Sequence, residues 1–179
     1  MQSIYQPAED SHLFADFLKK VLKDKKKSQP NLTFLDMGTG SGVLAKTARD
    51  QKITNITTID INPEAVKLSK KNGFKGIHSN LFSKIPKEQK YDIICFNAPY
   101  LPFDPNEPKD SQLATTGGKR GDEIALEFLK QAKQHLNPNA KIYLLISSLT
   151  PIDKIKKHNP KKIESKKIFF EELIILEIS

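Results

Sequence analysis

Four consecutive residues, Asn97-Ala98-Pro99-Tyr100, carry the groups needed to grip one planar amino group. The carboxamide oxygen of Asn97 can accept one N–H, and the backbone carbonyl of Ala98 can accept the other. Pro99 biases Ala98 toward extended backbone, which fixes the direction of that carbonyl. Tyr100 offers a ring face on which a planar group can stack. An NH2 held in this way, on an amide or an aromatic ring, is suited to act as a nucleophile. The same four residues also suit a strand end that runs into a turn, because Asn and Pro favour turns. Taken alone, the tetrad supports both readings equally.

A second constellation, Asp36-Met37-Gly38-Thr39-Gly40-Ser41-Gly42, has the form of a turn that brings backbone close to a ligand. The N–H groups at the start of a following helix would attract a carboxylate or phosphate. Asp60 stands twenty residues beyond Gly40, the position from which a carboxylate reaches a ribose hydroxyl. These features predict a nucleoside-containing cofactor. A dinucleotide site wants a third glycine three residues after Gly40, where the chain has Val43, and a Walker-type loop needs Lys and Ser or Thr after Gly42. Asp36 would repel a pyrophosphate but can accept hydrogen bonds from an ammonium. S-adenosylmethionine, which has an amino group, a carboxylate and a ribose but no phosphate, fits best.

The elements that must position these residues alternate as in an α/β fold. Leu13, Phe14, Phe17, Leu18 and Val21 recur at helical spacing after Ser11, which can cap the helix start. Residues 23–31 read as a loop or frayed helix end. Residues 33–37 read as a first strand, leading through the glycine turn into a helix ending near Arg49. Residues 56–60 form a second strand, and Pro63 suits the first turn of the next helix, which ends near Asn72-Gly73. Gly76-Ile77-His78 is a short third strand and residues 91–96 a fourth. Residues 122–136 form a helix stopped by Asn137-Pro138-Asn139, and residues 142–146 a fifth strand, followed by a short helix over 151–157. The tail, residues 163–178, carries two more strand-like runs, read as a closing antiparallel hairpin. The expected architecture is a seven-stranded, mostly parallel Rossmann-like sheet with helices on both faces. Residues 1–179 form one domain, with a helical segment over 1–31 and the core over 32–179.

Composition narrows the class. At 179 residues, 37% hydrophobic and 28% charged, the chain is expected to be a soluble globular domain with one proper core. No apolar stretch approaches a membrane span, and the first residues carry no signal-peptide pattern. A lone cysteine, Cys95, excludes an internal disulfide and fits a reducing, cytoplasmic location; its place in an apolar run marks it as a core residue. The four histidines show no metal-ligand spacing, and no metal site is expected. The formal charge of +8 comes from 29 basic and 21 acidic residues, and only Arg49 and Arg120 are arginines. Lysine suits solvation better than bidentate base or phosphate recognition. Runs such as Lys25-Lys26-Lys27 and Lys166-Lys167 therefore read as solvated surface before nucleic-acid contacts.

With these motifs in view, the chain resembles the HemK group of class I methyltransferases, which modify the side-chain amide of glutamine in translation release factors. The resemblance covers nearly the whole chain. It rests on Tyr5-Gln6-Pro7-Ala8-Glu9-Asp10-Ser11, on the Asp36 to Gly42 turn, on Asp60, on Asn80-Leu81, on the tetrad and on Gly117-Gly118-Lys119-Arg120-Gly121. The opening motif is most like the short archaeal and eukaryotic branch, so the helical N-terminal domain of bacterial members is expected to be absent. By resemblance, Asp36 and Gly38 contact the methionine end of the cofactor, with Ser11 closing over it. Asp60 holds the ribose hydroxyls and Asn80 meets the adenine edge, and Gly40, Gly42, Ile61, Leu81 and Asn97 complete the expected cofactor-binding set. Asn80 stands where the family often has aspartate, and Ala98 where its Asn-Pro-Pro-Tyr has the first proline.

The resemblance implies direct displacement of the cofactor's methyl by a glutamine nitrogen held on Asn97 and Ala98, with Pro99 and Tyr100 completing the catalytic set. Residues 101–121 then read as a substrate-gripping loop, with Arg120 available to an acidic or backbone partner. A small zinc-containing activator subunit is implied for the short branch, and the third strand near Ile77 is the candidate for strand addition. Two rivals stand beside this reading. A nucleic-acid N-methyltransferase would hold an exocyclic amine with the same kind of tetrad, and the basic charge favours RNA contact. A non-catalytic scaffold subunit would use the fold for interaction alone.

Overall fold

The computed structural model describes residues 4–179, except the side chains of Lys26, Lys27, Lys109 and Asp110; the first three residues and most of the Lys25-Lys26-Lys27 run thus lie outside the described set. In chain order the elements are α1 (Glu9–Ser28), β1 (Thr33–Met37), α2 (Val43–Asp50), β2 (Asn55–Asp60), α3 (Pro63–Lys71), β3 (Lys75–His78) and β4 (Tyr91–Asn97). There follow α4 (Lys109–Thr115), α5 (Glu123–Ala132), β5 (Leu136–Ser147), β6 (Lys161–Ile168) and β7 (Glu171–Ile178). The seven strands form one sheet in the order β3-β2-β1-β4-β5-β7-β6. The first five are mutually parallel, while β7 is antiparallel to both β5 and β6.

Alternation along the central strands divides the core between two faces. Phe34, Ile93, Cys95 and Tyr143 meet α1 and α2 on one side, whereas Leu35, Ile94, Phe96 and Leu144 meet Phe128 and Leu129 of α5 on the other. Strands buried on both faces read as continuous apolar runs, as β4 does. Cys95 is fully buried, and burial pushes its thiol well up, which makes it a small core residue rather than a nucleophile.

Several boundaries differ from the sequence reading. Helix α1 begins at Glu9 with Ala8 as its N-cap, so Ser11 lies within the first turn rather than capping it. Of the two readings of residues 23–31, a loop or a helix end, the structure takes the second as far as Ser28, because lysine is a good helix former. The α5 helix ends at Ala132 and a 3-10 turn covers Lys133–His135. Strand β5 starts at Leu136 and passes through Asn137-Pro138-Asn139, which was read as a stop. It does so by bulging. Its pairing with β4 jumps from Tyr91–Leu136 to Ile93–Lys141, five residues against two, and Asn139 takes φ +64°. The short helix expected over 151–157 is a 3-10 turn at Ile155–His158.

The strand order reverses between β1 and β4, which lie side by side. Open parallel sheets form a crevice at such a point, beyond the carboxyl ends of the strands. The glycine turn leaves β1 there, and the tetrad leaves β4 there. Topology thus brings the two constellations together.

Candidate active site

A cavity of about 440 Å³ opens at this crevice, within the range typical of small-molecule sites. On the β1 side its wall includes Asp36, Gly38 and Gly40. Gly38 adopts φ +61°, and a Cβ there would stand 2.9 Å from the Phe96 ring, so the turn requires glycine. The Asp36 carboxylate is buried; its Oδ2 accepts from the Thr39 hydroxyl at 2.7 Å and from the Ala45 amide at 3.1 Å. Burial pushes its pKa up to about 7, and the like charge of Asp60 adds to the rise. A buried carboxylate beside a second carboxylate is an environment that a cationic ligand group would relieve. Gly42 does not line the cavity. It caps α2 from the left-handed region at φ +81°, and so shapes the turn without touching its contents.

Asp60 closes β2 on the neighbouring wall. Its Oδ2 accepts from the Gly40 amide and its Oδ1 from the Asn62 amide, each at 2.8 Å. Burial raises its pKa, and these backbone donors oppose the rise. Ionised, each oxygen keeps lone pairs for hydroxyl donors. Ile61, Asn80 and Leu81 extend the same wall; Ile61 and Asn80 are exposed, and Leu81 sits at φ +48° in the turn after β3.

The tetrad forms the opposite wall, and here the structure adds what the sequence hid. Asn97 Nδ2 donates to Asp10 Oδ2 at 3.1 Å, across 87 positions of sequence. Asp10 is buried, and it also accepts from the Tyr5 hydroxyl and from the Ser11 amide and hydroxyl. A carboxylate can only accept, so it selects the NH2 end of Asn97 and turns the amide oxygen away. That oxygen, Asn97 Oδ1, is buried and has no hydrogen-bond partner. A buried acceptor left unpaired costs about 1–3 kcal/mol unless a ligand supplies a donor. Tyr100 is half-buried, and burial, with Asp10 and Glu171 nearby, pushes its phenol well up, so the ring stays neutral.

The glycine-rich turn over 117–121 buttresses this wall. A Cβ on Gly117 would lie 2.5 Å from the Pro99 carbonyl oxygen, and one on Gly121 2.6 Å from that of Tyr100. The connection over 101–121 is ordered by this packing, by a Leu101–Thr116 bridge and by α4, which the sequence reading lacked. Leu113, Ala114 and Thr115 of α4 face the cavity. Arg120 is exposed and lies 3.5 Å from the buried Asp122, an acidic neighbour within the chain.

All the expected site residues except Gly42 therefore meet around one cavity: Ser11, Asp36, Gly38, Gly40, Asp60, Ile61, Asn80, Leu81 and the four of the tetrad. Asp10 and Tyr5 are the residues that sequence reasoning left unassigned. Both lie within the quoted opening motif, but only the fold brings them to Asn97.

Comparison with known proteins gives an independent reading. Residues 11–166 match the family described as the methyltransferase small domain. A relative from Methanocaldococcus jannaschii that bears the name protein N5-glutamine methyltransferase is 36% identical, over 97% of this chain and 90% of its own length. The release factor glutamine methyltransferase of Rhodopirellula baltica is 27% identical over 79% of this chain, which spans only about half of that relative (53%). Among solved structures, the E. cuniculi Mtq2-Trm112 complex that methylates the termination factor eRF1 superposes with TM-score 0.69 at 22% identity, covering 99% of this chain and 98% of that one. A T. thermophilus 16S rRNA N2 G1207 methyltransferase, solved with AdoMet and guanosine, superposes with TM-score 0.64 at 16% identity, covering 97% of this chain and 44% of that one.

Proposed function

Because the chain belongs to the methyltransferase small-domain family, we propose that it transfers a methyl group from S-adenosylmethionine to the side-chain amide nitrogen of a glutamine in a translation release factor. The observation that carries this reading is the buried, partnerless Oδ1 of Asn97, held in place from behind by Asp10. S-adenosylmethionine, when bound, supplies an electrophilic methyl group. The residues on the β1 and β2 walls fit it: the buried Asp36 carboxylate would accept from its ammonium, Asp60 would accept from its ribose hydroxyls, and Asn80 and Leu81 would meet its adenine. Gly38 and Gly40 would allow close approach, Ser11 would close over the amino-acid end, and Ile61 would lie along the cofactor.

An amide nitrogen is a poor nucleophile because its lone pair is delocalised into the carbonyl. Asn97 Oδ1 accepts one of its N–H bonds and the Ala98 carbonyl the other, which orients the nitrogen and stabilises positive charge as it develops there. Tyr100 stacks on the amide plane. Asp10 acts through Asn97 and is a positioning residue. Asp36 and Asp60 serve the cofactor, so the proton departs after the transfer without a dedicated base.

One relative named for protein N5-glutamine methylation and another named for release factor glutamine methylation support the substrate. The test is an Asn97→Ala variant assayed with labelled cofactor. Turnover on a release factor falls at least about a hundredfold, as for loss of a positioned transition-state acceptor, while calorimetry finds cofactor affinity nearly intact. Loss of cofactor binding in that variant would count against the assignment. RNA is the second reading: Lys133, Lys154 and Lys157 line a hollow beside α5 and make no ion pair among the described residues. RNA label in place of protein label would select it.

The partner reading follows from topology. Strand β3 is an edge of the sheet, its residues are only half-buried or exposed, and it offers unpaired backbone to a small zinc-containing activator subunit near Ile77. Among the described residues no helix is long and apolar enough to cross a membrane, and the buried, inert Cys95 suits a reducing cytoplasm.

A further inference from the structure

Large apolar side chains are exposed at seven described positions, and they are not scattered. Ile61 follows β2, Phe103 follows the tetrad, Leu113 lies on α4, Leu149 follows β5, and Phe169 and Phe170 form the turn between β6 and β7. These six share the carboxyl end of the parallel strands, where the cavity opens; only Ile163, on β6, does not. The β6–β7 turn reaches that end because Ser147, the last residue of β5, pairs with Leu173 near the start of β7.

Phe169 is 103% exposed and Phe170 89%, so neither contributes to the core. Phe169 also sits at φ +46°, a region unfavourable for a bulky residue, at the first position of a two-residue hairpin turn, where glycine is favoured. Folding gains nothing from two aromatics there, and exposed aromatic pairs are instead typical of binding surfaces. The turn is tied to the active site. Glu171, next to Phe170, accepts from the Ser147 hydroxyl and lies close enough to Tyr100 to raise its phenol, while the Thr150 hydroxyl donates to the Tyr100 carbonyl at 3.4 Å. On its other flank Lys166 is paired with Glu9 at the start of α1.

We propose that the Phe169-Phe170 turn, with Leu149 and Phe103, is the docking surface for the folded protein that carries the target glutamine. The inference rests on the glutamine reading above and deepens it. A protein occupant is favoured over nucleic acid by chemistry: six exposed apolar side chains at this end match the buried centre of a protein interface, whereas a phosphate backbone is held by cations rather than by aromatic rings. Three lysines, Lys133, Lys154 and Lys157, gather instead in a hollow beside the far end of α5.

The test compares the wild-type chain with a Phe169→Ser, Phe170→Ser double variant on two substrates: an intact release factor, and a short peptide around its modified glutamine that cannot span to the turn. The exposure of both rings keeps the variant folded, which thermal unfolding checks. The expected result is a KM for the intact factor raised at least about tenfold, the scale of one interface hot spot, with kcat, cofactor affinity and peptide turnover unchanged. Equal kinetics on the intact factor would overturn the docking surface alone. Equal loss on the peptide, or a wild-type dimer that the variant dissolves with no change in KM, would do the same. A wild-type chain that labels neither factor nor peptide defeats the glutamine reading itself, and this inference with it.

Discussion

Asp36 makes the ligand-free site sensitive to pH, and the size of the effect follows from its burial. An aspartate in an unfolded chain titrates near 3.9. In the folded chain desolvation lifts Asp36 to about 7. Its stabilising contribution is therefore fully present below about pH 4 and is lost as pH rises through about 7. Three units correspond to about 4 kcal/mol. Asp36→Asn keeps the acceptor for Thr39 and Ala45 but cannot ionise. The ligand-free variant should be more stable than the wild type at pH 8, by an amount approaching that figure, and the gap should close toward pH 5. Cofactor binding reverses the logic, since an ammonium needs the ionised carboxylate. With a pKa near 7, the ionised fraction falls from about three quarters at pH 7.5 to about 3% at pH 5.5. Affinity should weaken roughly twentyfold across that window, and calorimetry in buffers of different ionisation enthalpy should show a proton released on binding at the lower pH. A dissociation constant that stays flat across the window, or wild-type affinity in Asp36→Asn, would refute the assignment of Asp36 to the cofactor's ammonium.

Asp10→Ala removes the acceptor that orients Asn97; turnover should drop about tenfold to a hundredfold with cofactor affinity little changed. Asp10→Asn, whose oxygen can still accept from Asn97 Nδ2, should recover part of that rate, and steady-state kinetics on the pair measures it. Gly117→Ala places a Cβ 2.4 Å from the Gly121 carbonyl oxygen and 2.5 Å from that of Pro99. Both neighbours are backbone and cannot swing aside, so denaturant unfolding should show a loss of about 1–3 kcal/mol, and kcat should fall more than KM changes.

The chemistry was more legible in the sequence than the supports that hold it. The tetrad, the glycine turn and Asp60 were readable because each occupies a strand end, where a period change and a turn residue mark the position. Parallel pairing of β1 with β4 then makes them neighbours. Asp10 was not readable. A carboxylate at the start of a helix has a sufficient local explanation in the helix dipole, and nothing local links it to an amide 87 residues later. Boundaries failed where composition pointed one way and tertiary pairing the other. Asn137-Pro138-Asn139 has turn chemistry, yet the β4 ladder and the Asn137–Asp92 bond at 2.9 Å hold it in a bulged strand. The Lys-rich end of α1 reads as a loop or a frayed helix end because it is polar, and it satisfies its own backbone by remaining helical through Ser28. Helix α4 is short and flanked by Pro and Gly, and its apolar side faces a cavity rather than a core, so no periodic pattern announces it.

The departure at Ala98 can be weighed in the same terms. A proline there would restrict the backbone that aims the carbonyl proposed to accept from the substrate, and alanine gives up that restriction. Three contacts replace it. Ala98 is buried, so its Cβ is fixed by packing against the α5 face of the sheet. One residue later Pro99 disfavours helical backbone at Ala98. Beyond it, Gly117 and Gly121 approach the Pro99 and Tyr100 carbonyl oxygens so closely that any larger residue would displace them. Rotation at Ala98 would carry Pro99 into that turn. The direction of the carbonyl is thus enforced by the chain that returns across the tetrad, and the missing ring is a lost redundancy rather than a lost constraint.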